Sequence, residues 1–222
     1  EGMAVADLAG DADWQLGRYT GGRLEGQNAI YGANNGAHYA VIAPLTNAPG
    51  NGTISYTLKA ATRPVYSDEA TEPGSFTGAM AVRFAAIPTV GLEGTVTMPD
   101  ATYSFQTTGG AADPARSALR LFPHTLGESG LTFSAELPAT FSADTSVCRT
   151  GISCQVGIGG QIGGDGAGWA SMGYVIRGTS STVETPKVSG VAVFEGGAFV
   201  PETPPLTGTP VANQITTYAS SV

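Results

Sequence analysis

At 222 residues the chain is long enough for one large all-β domain, or for a barrel with a smaller attachment. Only 13% of residues are charged, well below the usual quarter, and the net charge of −8 comes from acids scattered singly along the chain. The only lysines are Lys59 and Lys187, so there is no basic stripe for nucleic acid, and no apolar run approaches the roughly 20 residues of a membrane helix.

A start at Glu1 without an initiator Met is expected of an exported chain whose leader has been removed, although a chain trimmed at its start would read the same. The first two expected strands are 14–19 and 38–43. A Gly/Asn-rich stretch separates them (Gly21-Gly22 and Gly32-Ala-Asn-Asn-Gly36), typical of a long loop. Residues 1–50 therefore read as an N-terminal β extension.

From residue 51 onward the pattern becomes regular. In 53–59 Ile54, Tyr56 and Leu58 fall on one face and Thr53, Ser55, Thr57 and Lys59 on the other, as in a half-buried strand. Seven more stretches alternate: 75–85, 91–98, 101–107, 130–137, 152–162, 169–177 and 188–195. Asn51-Gly52 and Pro99-Asp100 stand at joints where tight turns are expected. Asn51-Gly-Thr53 also matches a glycosylation acceptor, but a hairpin turn is the favoured reading. The one expected helical turn lies within 113–122.

Eight consecutive strands, each with one apolar face, close most simply into an up-and-down antiparallel barrel over 51–197, which removes exposed strand edges. A two-sheet sandwich is the alternative. Outward positions are Thr, Ser, Gln and Arg and aromatics are 8%, so a lipid-facing barrel is not expected. Residues 198–222 are rich in Pro and Thr and cannot bury a core of their own; they read as an extended tail that docks on its own barrel or on a neighbouring molecule.

Cys148 and Cys154 flank a Gly turn, which predicts a local disulfide worth about 2–3 kcal/mol and an oxidising compartment; two buried free thiols are the alternative. Catalytic patterns are missing. The Gly-rich run 156–168 has Ile162 where a dinucleotide fingerprint needs Gly, and no Gly-Lys-Ser/Thr follows it. His38 and His124 have no ligand-like spacing, and no Gly-x-Ser-x-Gly elbow exists. Asp11 and Asp13, and the cluster Asp68, Glu69 and Glu72, read as solvated acids rather than as a hydrolase pair or a Ca²⁺ site. Neither an enzyme nor a cofactor is expected.

The segment Gln155-Val-Gly-Ile-Gly-Gly-Gln-Ile-Gly-Gly-Asp-Gly-Ala167, followed by Gly173-Tyr-Val-Ile176 and Val188-Ser-Gly-Val-Ala-Val-Phe194, resembles the closing strands of the transferrin-binding-protein-like β-barrel domain of bacterial surface lipoproteins and secreted proteins. The resemblance covers about 130–195. It implies an eight-stranded barrel in a non-enzymatic surface or secreted protein that binds host proteins, haem or other solutes. Two departures stand out: no lipidated N-terminal Cys is present, and the large preceding domain is reduced to about 50 residues. The family's contacts lie in variable loops, so none transfers to a residue here.

The resulting expectation is a secreted or cell-surface barrel that binds a protein or small ligand through its loops, around Tyr19, Tyr31, Tyr66, Phe122 and His124. The alternative is a structural subunit of an extracellular assembly, whose terminal segments add strands to neighbouring copies. A hydrolase is the third and weakest reading.

Overall fold

The computed structural model describes residues 3–23, 30–69, 71–123, 130–179 and 186–202. The strands in chain order are β1 (Ala4–Gly10), β2 (Trp14–Thr20), β3 (Gly22–Arg23), β4 (Ile30–Tyr31), β5 (Ala37–Ile42), β6 (Gly52–Ala61), β7 (Val65–Tyr66) and β8 (Ser75–Phe84). They continue with β9 (Thr89–Thr97), β10 (Thr102–Gln106), β11 (Phe122–Pro123), β12 (Leu131–Phe141), β13 (Cys154–Gly163), β14 (Trp169–Gly178), β15 (Val188–Gly196) and β16 (Val200–Pro201). A single 3-10 turn, Pro114–Arg116, is what forms within the expected helical stretch.

Eight strands close an antiparallel barrel in the order β6-β8-β9-β10-β12-β13-β14-β15, with β15 returning to β6. At the closing seam Phe194 pairs with Leu58 and Val193 with Ala60, so Lys59 is a bulge residue that lets the seam bend. The period-two faces behave as their chemistry requires. Ile54, Met80, Leu92, Ile162, Met172 and Ile176 point inward and are almost wholly buried.

Aromatic rings fill the rest of the interior. The Phe76 ring stacks on Tyr174 with centroids 5.1 Å apart and meets Phe194 edge-on at 6.4 Å. Glycines opposite these rings make room for them. A Cβ at Gly94 would come within 2.5 Å of Phe105, and one at Gly190 within 2.4 Å of the Tyr174 hydroxyl.

One barrel end is sealed. Tyr66 Oη donates to Asp100 Oδ1 (2.7 Å) and lies 3.0 Å from Tyr103 Oη, which in turn lies 2.8 Å from Thr145 Oγ1. Burial first, then these bonds, push the Tyr66 hydroxyl well above its ordinary pKa. Thr145 Oγ1 also accepts from the N–H groups of Val147 and Cys148 and so holds the loop of the Cys148–Cys154 disulfide. Pro99-Asp100 forms its expected turn there, with the Met98 N–H donating to Ala101 O (2.8 Å).

The N-terminal strands form a separate sheet, β1-β2-β5, on the barrel's outer wall. Trp14, Leu16 and Ile42 pack on Val193, and Trp14 meets Trp169 at 5.9 Å. Arg18 is buried beneath this sheet, its Nε donating to Asp7 Oδ2 (2.8 Å) and its Nη1 to the Asn35 carbonyl (2.9 Å). One sequence expectation fails here. Asn51-Gly52 makes no hairpin, because β5 and β6 belong to different sheets; the intervening linker is instead pinned by Thr46 and Asn47, which both donate to Asp165.

A window in the barrel wall

The barrel end opposite the disulfide is shaped by an early stop in β10. Gly109 and Gly110 take left-handed φ values of +86° and +58°, which turn the chain out of the sheet after Thr108. Thr107 fixes the exit: its N–H donates to Leu92 O (2.9 Å) and its Oγ1 accepts from the Leu92 N–H (3.0 Å). The chain rejoins the wall only at 119–121, where the Val90 N–H donates to Leu119 O (2.8 Å) and the Leu121 N–H to Pro88 O (3.1 Å). Phe122 and Pro123 then pair with Thr132 and Leu131.

β12 is left with a gap. It pairs with β10 through Ala139, Thr140 and Phe141, and with β11 through Leu131 and Thr132, but residues 133–138 have no partner on that side among the described residues. The Ser142 N–H donates to Thr102 O, so the antiparallel alternation also aims the backbone groups of Ser134, Glu136 and Pro138 into the gap. Proline at 138 fits this position, because its missing N–H costs no ladder bond to β13. Pro138 is also why the sequence suggested a strand ending at 137 whereas β12 runs on to Phe141.

The window has a volume of about 460 Å³, with Leu119, Ala135 and Leu137 on its apolar side. Leu137 points inward like the buried Val156 yet stays half-exposed, because the wall beside it is open. Arg120 stands on one lip. Glu136 stands on the other, ion-paired to Arg177 at 2.8 Å. A trough of about 780 Å³ continues from the window across the outer faces of β10, β9 and β8, lined by Thr77, Ala79, Thr95, Ser104 and Gln106, with Glu93 its charged member. Backbone amides, hydroxyls and small apolar groups suit extended polypeptide better than bond-breaking chemistry.

Three exposed apolar side chains stand at this end, alongside Val5, Leu8 and Val41 on the N-terminal sheet. Ile87 (55%), Phe122 (57%) and Val200 (63%) are all largely in solvent. Ile87 and Phe122 are the residues immediately beyond the bonded pair Pro88 and Leu121.

The residues singled out in the sequence do not converge. Tyr19 stacks on Tyr39 at 5.1 Å on the outside of the N-terminal sheet, and Tyr31 pairs with Gly22 in β4. Tyr66 is 1% exposed and belongs to the hydrogen-bonded seal of the closed end, so it is a core residue. Phe122 alone lies at the window, and His124 falls outside the described residues. Sequence reading missed Ser134, Glu136 and Pro138. The available signal was a proline inside an alternating run, opposite a strand ended by Gly109-Gly110. His38 faces the N-terminal sheet interface, where burial, then Arg18, lowers its pKa to about 4. Among the described residues no cluster of three His, Cys, Asp or Glu side chains could hold a metal, and no helix is long and apolar enough to cross a membrane. No protein-family model and no curated protein matches the chain.

Proposed function

We propose that this chain is a non-enzymatic, secreted or cell-surface barrel that binds a partner protein through the loops of the end opposite its disulfide. One observation carries the reading: Ile87, Phe122 and Val200 stand exposed at the barrel end opposite the sealed disulfide end, over a filled interior. Apolar residues grouped on an otherwise polar surface mark interaction sites. A filled interior favours a protein over haem or another small solute, and the disulfide supports an oxidising, extracytoplasmic setting. The second reading, a structural subunit of an extracellular assembly, draws on the stretch of β12 edge that is unpaired among the described residues.

Capture from extracytoplasmic fluid tests the first reading. The intact chain is compared with Ile87→Asp/Phe122→Asp and with Val5→Asp/Leu8→Asp, a control on the exposed N-terminal sheet. The rim variant should lose a partner at least tenfold while the control keeps it. Equal capture by all three, or no specific protein captured by the intact chain, rejects the reading. A solution mass above one copy would turn the choice to the assembly.

A further inference from the structure

We infer that the free edge of β5, beside a glycine floor on β13 and β14, is a docking groove for one uncharged, extended segment of a partner protein, held by main-chain hydrogen bonds. One bond identifies the edge. The Ala43 N–H donates to Asp13 O (2.7 Å), so in antiparallel alternation Val41, Tyr39 and Ala37 bond to β2. His38 and Ala40 therefore aim their backbone groups the other way, where no strand pairs with β5 among the described residues.

Space lies beside that edge. Two cavities of about 430 and 380 Å³ run along it and share His38, Gly159, Gly173 and Val191, so they form one groove. Its floor is the outward face of β13 and β14, bare at Gly157, Gly159 and Gly173. Glycine weakens a strand, and nothing inside the fold requires it at these positions. None takes a left-handed φ. A Cβ would find its nearest neighbour 3.9 Å away at Gly159 and 3.7 Å away at Gly173, and at Gly157 it would meet only the tip of the Glu136 side chain. Gly160 and Gly190 differ, since a Cβ there would run into the rings of Phe133 and Tyr174. The bare floor makes room for something laid on it from outside.

Charge and shape define the occupant. No charged side chain lines the groove, and the ions beside it are already paired, Arg18 with Asp7 and Arg177 with Glu136. A charged segment would lose hydration there and meet no free counter-ion. His38 lines both cavities, and its buried Nε2 has no partner among the described residues; a Ser or Thr hydroxyl in the segment gives it one. A second copy cannot present its own β5 in antiparallel pairing. That strand packs on its own β14 and β15, and this barrel would fall where β13 already stands. The other free edge of the N-terminal sheet, β1, is bulged at Asp7. A floor without side chains reads the main chain, so the groove accepts any uncharged, β-forming sequence that matches the ~20 Å of Ala37–Ile42.

Amide hydrogen exchange with a blocked peptide, Thr-Val-Thr-Ala-Thr-Val-Thr, tests the inference. At millimolar peptide the His38 and Ala40 amides should exchange at least tenfold more slowly, while Val41, already bonded to β2, stays unchanged. The same peptide methylated on every backbone nitrogen, and one alternating Lys and Glu, should give no protection. Gly159→Val/Gly173→Val should abolish the protection and leave the thermal midpoint unchanged or higher. No slowing at millimolar peptide, or equal slowing by the methylated peptide, overturns the inference. So do His38 and Ala40 amides that are already as slow as Val41 without peptide. A lower midpoint in the valine variant would assign the glycines to the barrel, and protection that grows with protein concentration alone would assign the edge to a second copy; either result overturns it too. Ile87→Asp/Phe122→Asp should leave this binding untouched, so the partner reading and this one fail separately.

Discussion

His38 Nδ1 lies 2.8 Å from Thr62 Oγ1, and this contact joins the N-terminal sheet to the barrel. Thr62 is itself locked to β15, its N–H donating to Val191 O (3.0 Å) and its Oγ1 accepting from the Val191 N–H (3.1 Å). The other ring nitrogen, Nε2, is buried without a partner among the described residues. Burial and the nearby Arg18 both disfavour the imidazolium, against a smaller opposing pull from Asp7.

The consequence is a pH-dependent stability with a defined sign. His38 titrates at about 4 in the folded chain against an ordinary 6.5, so between these values the unfolded chain binds the extra proton. Stability from this site is complete above pH 6.5 and falls as pH drops through 4, by on the order of 3 kcal/mol in total. Urea unfolding at pH 7.5 and 4.5 should show the loss, and His38→Gln should flatten that part of the profile. A His38→Gln chain with the same slope would place the effect elsewhere.

Tyr174 gives a prediction of the opposite kind. Its hydroxyl is buried inside the barrel with no hydrogen-bond partner among the described residues, and burial drives its pKa upward. A buried donor left unsatisfied costs about 1–3 kcal/mol. Tyr174→Phe keeps the stack on Phe76 and removes the orphan group, so it should leave stability unchanged or raise it by about 1 kcal/mol. Gly190→Ala should instead cost about 1–3 kcal/mol, because the new methyl meets that ring. Thermal unfolding of both variants checks this; a Tyr174→Phe chain that melts several degrees lower would reveal a partner for the hydroxyl.

The barrel was legible because its code is simple: one apolar face per strand, repeated eight times, as in Ile54, Tyr56 and Leu58. β1 was not, because Asp7 at φ +55° places a bulge inside Ala4–Gly10 and breaks the period of two. The role of Tyr66 was hidden for a different reason. An aromatic beside loop residues looks exposed until the long-range bond to Asp100 draws it inside. The window depends on pairing between residues far apart in the chain, which no local pattern encodes. Only the Gly109-Gly110 stop and Pro138 leave a trace of it in the sequence.

The disulfide should act mainly on the sealed end. Closing so short a loop constrains the unfolded chain by about 2 kcal/mol in the chain-entropy account. Cys148→Ser/Cys154→Ser should therefore lower stability by about that amount. It should also speed hydrogen exchange at Val147, whose N–H Thr145 holds, while Leu119 at the far end is unaffected. Loosening spread evenly over both ends would show that the bridge supports the whole barrel rather than its local loop.

The two tryptophans supply a probe for the last prediction. Trp14 and Trp169 face each other where the N-terminal sheet meets the barrel, so tryptophan emission reports that interface and little else. The core beneath this sheet is small, consisting of Trp14, Leu16, Ile42 and Val193, whereas the barrel interior holds most of the buried apolar side chains. Local units with few apolar contacts open before the rest of a fold. Tryptophan emission should thus change at lower urea than the far-ultraviolet circular dichroism of the barrel. Leu16→Ala, which removes a fully buried side chain at a typical cost of about 2–5 kcal/mol, should lower the emission midpoint and leave the barrel transition in place. Coincident transitions in both chains would mean instead that sheet and barrel unfold as one unit, with the His38–Thr62 contact inside it.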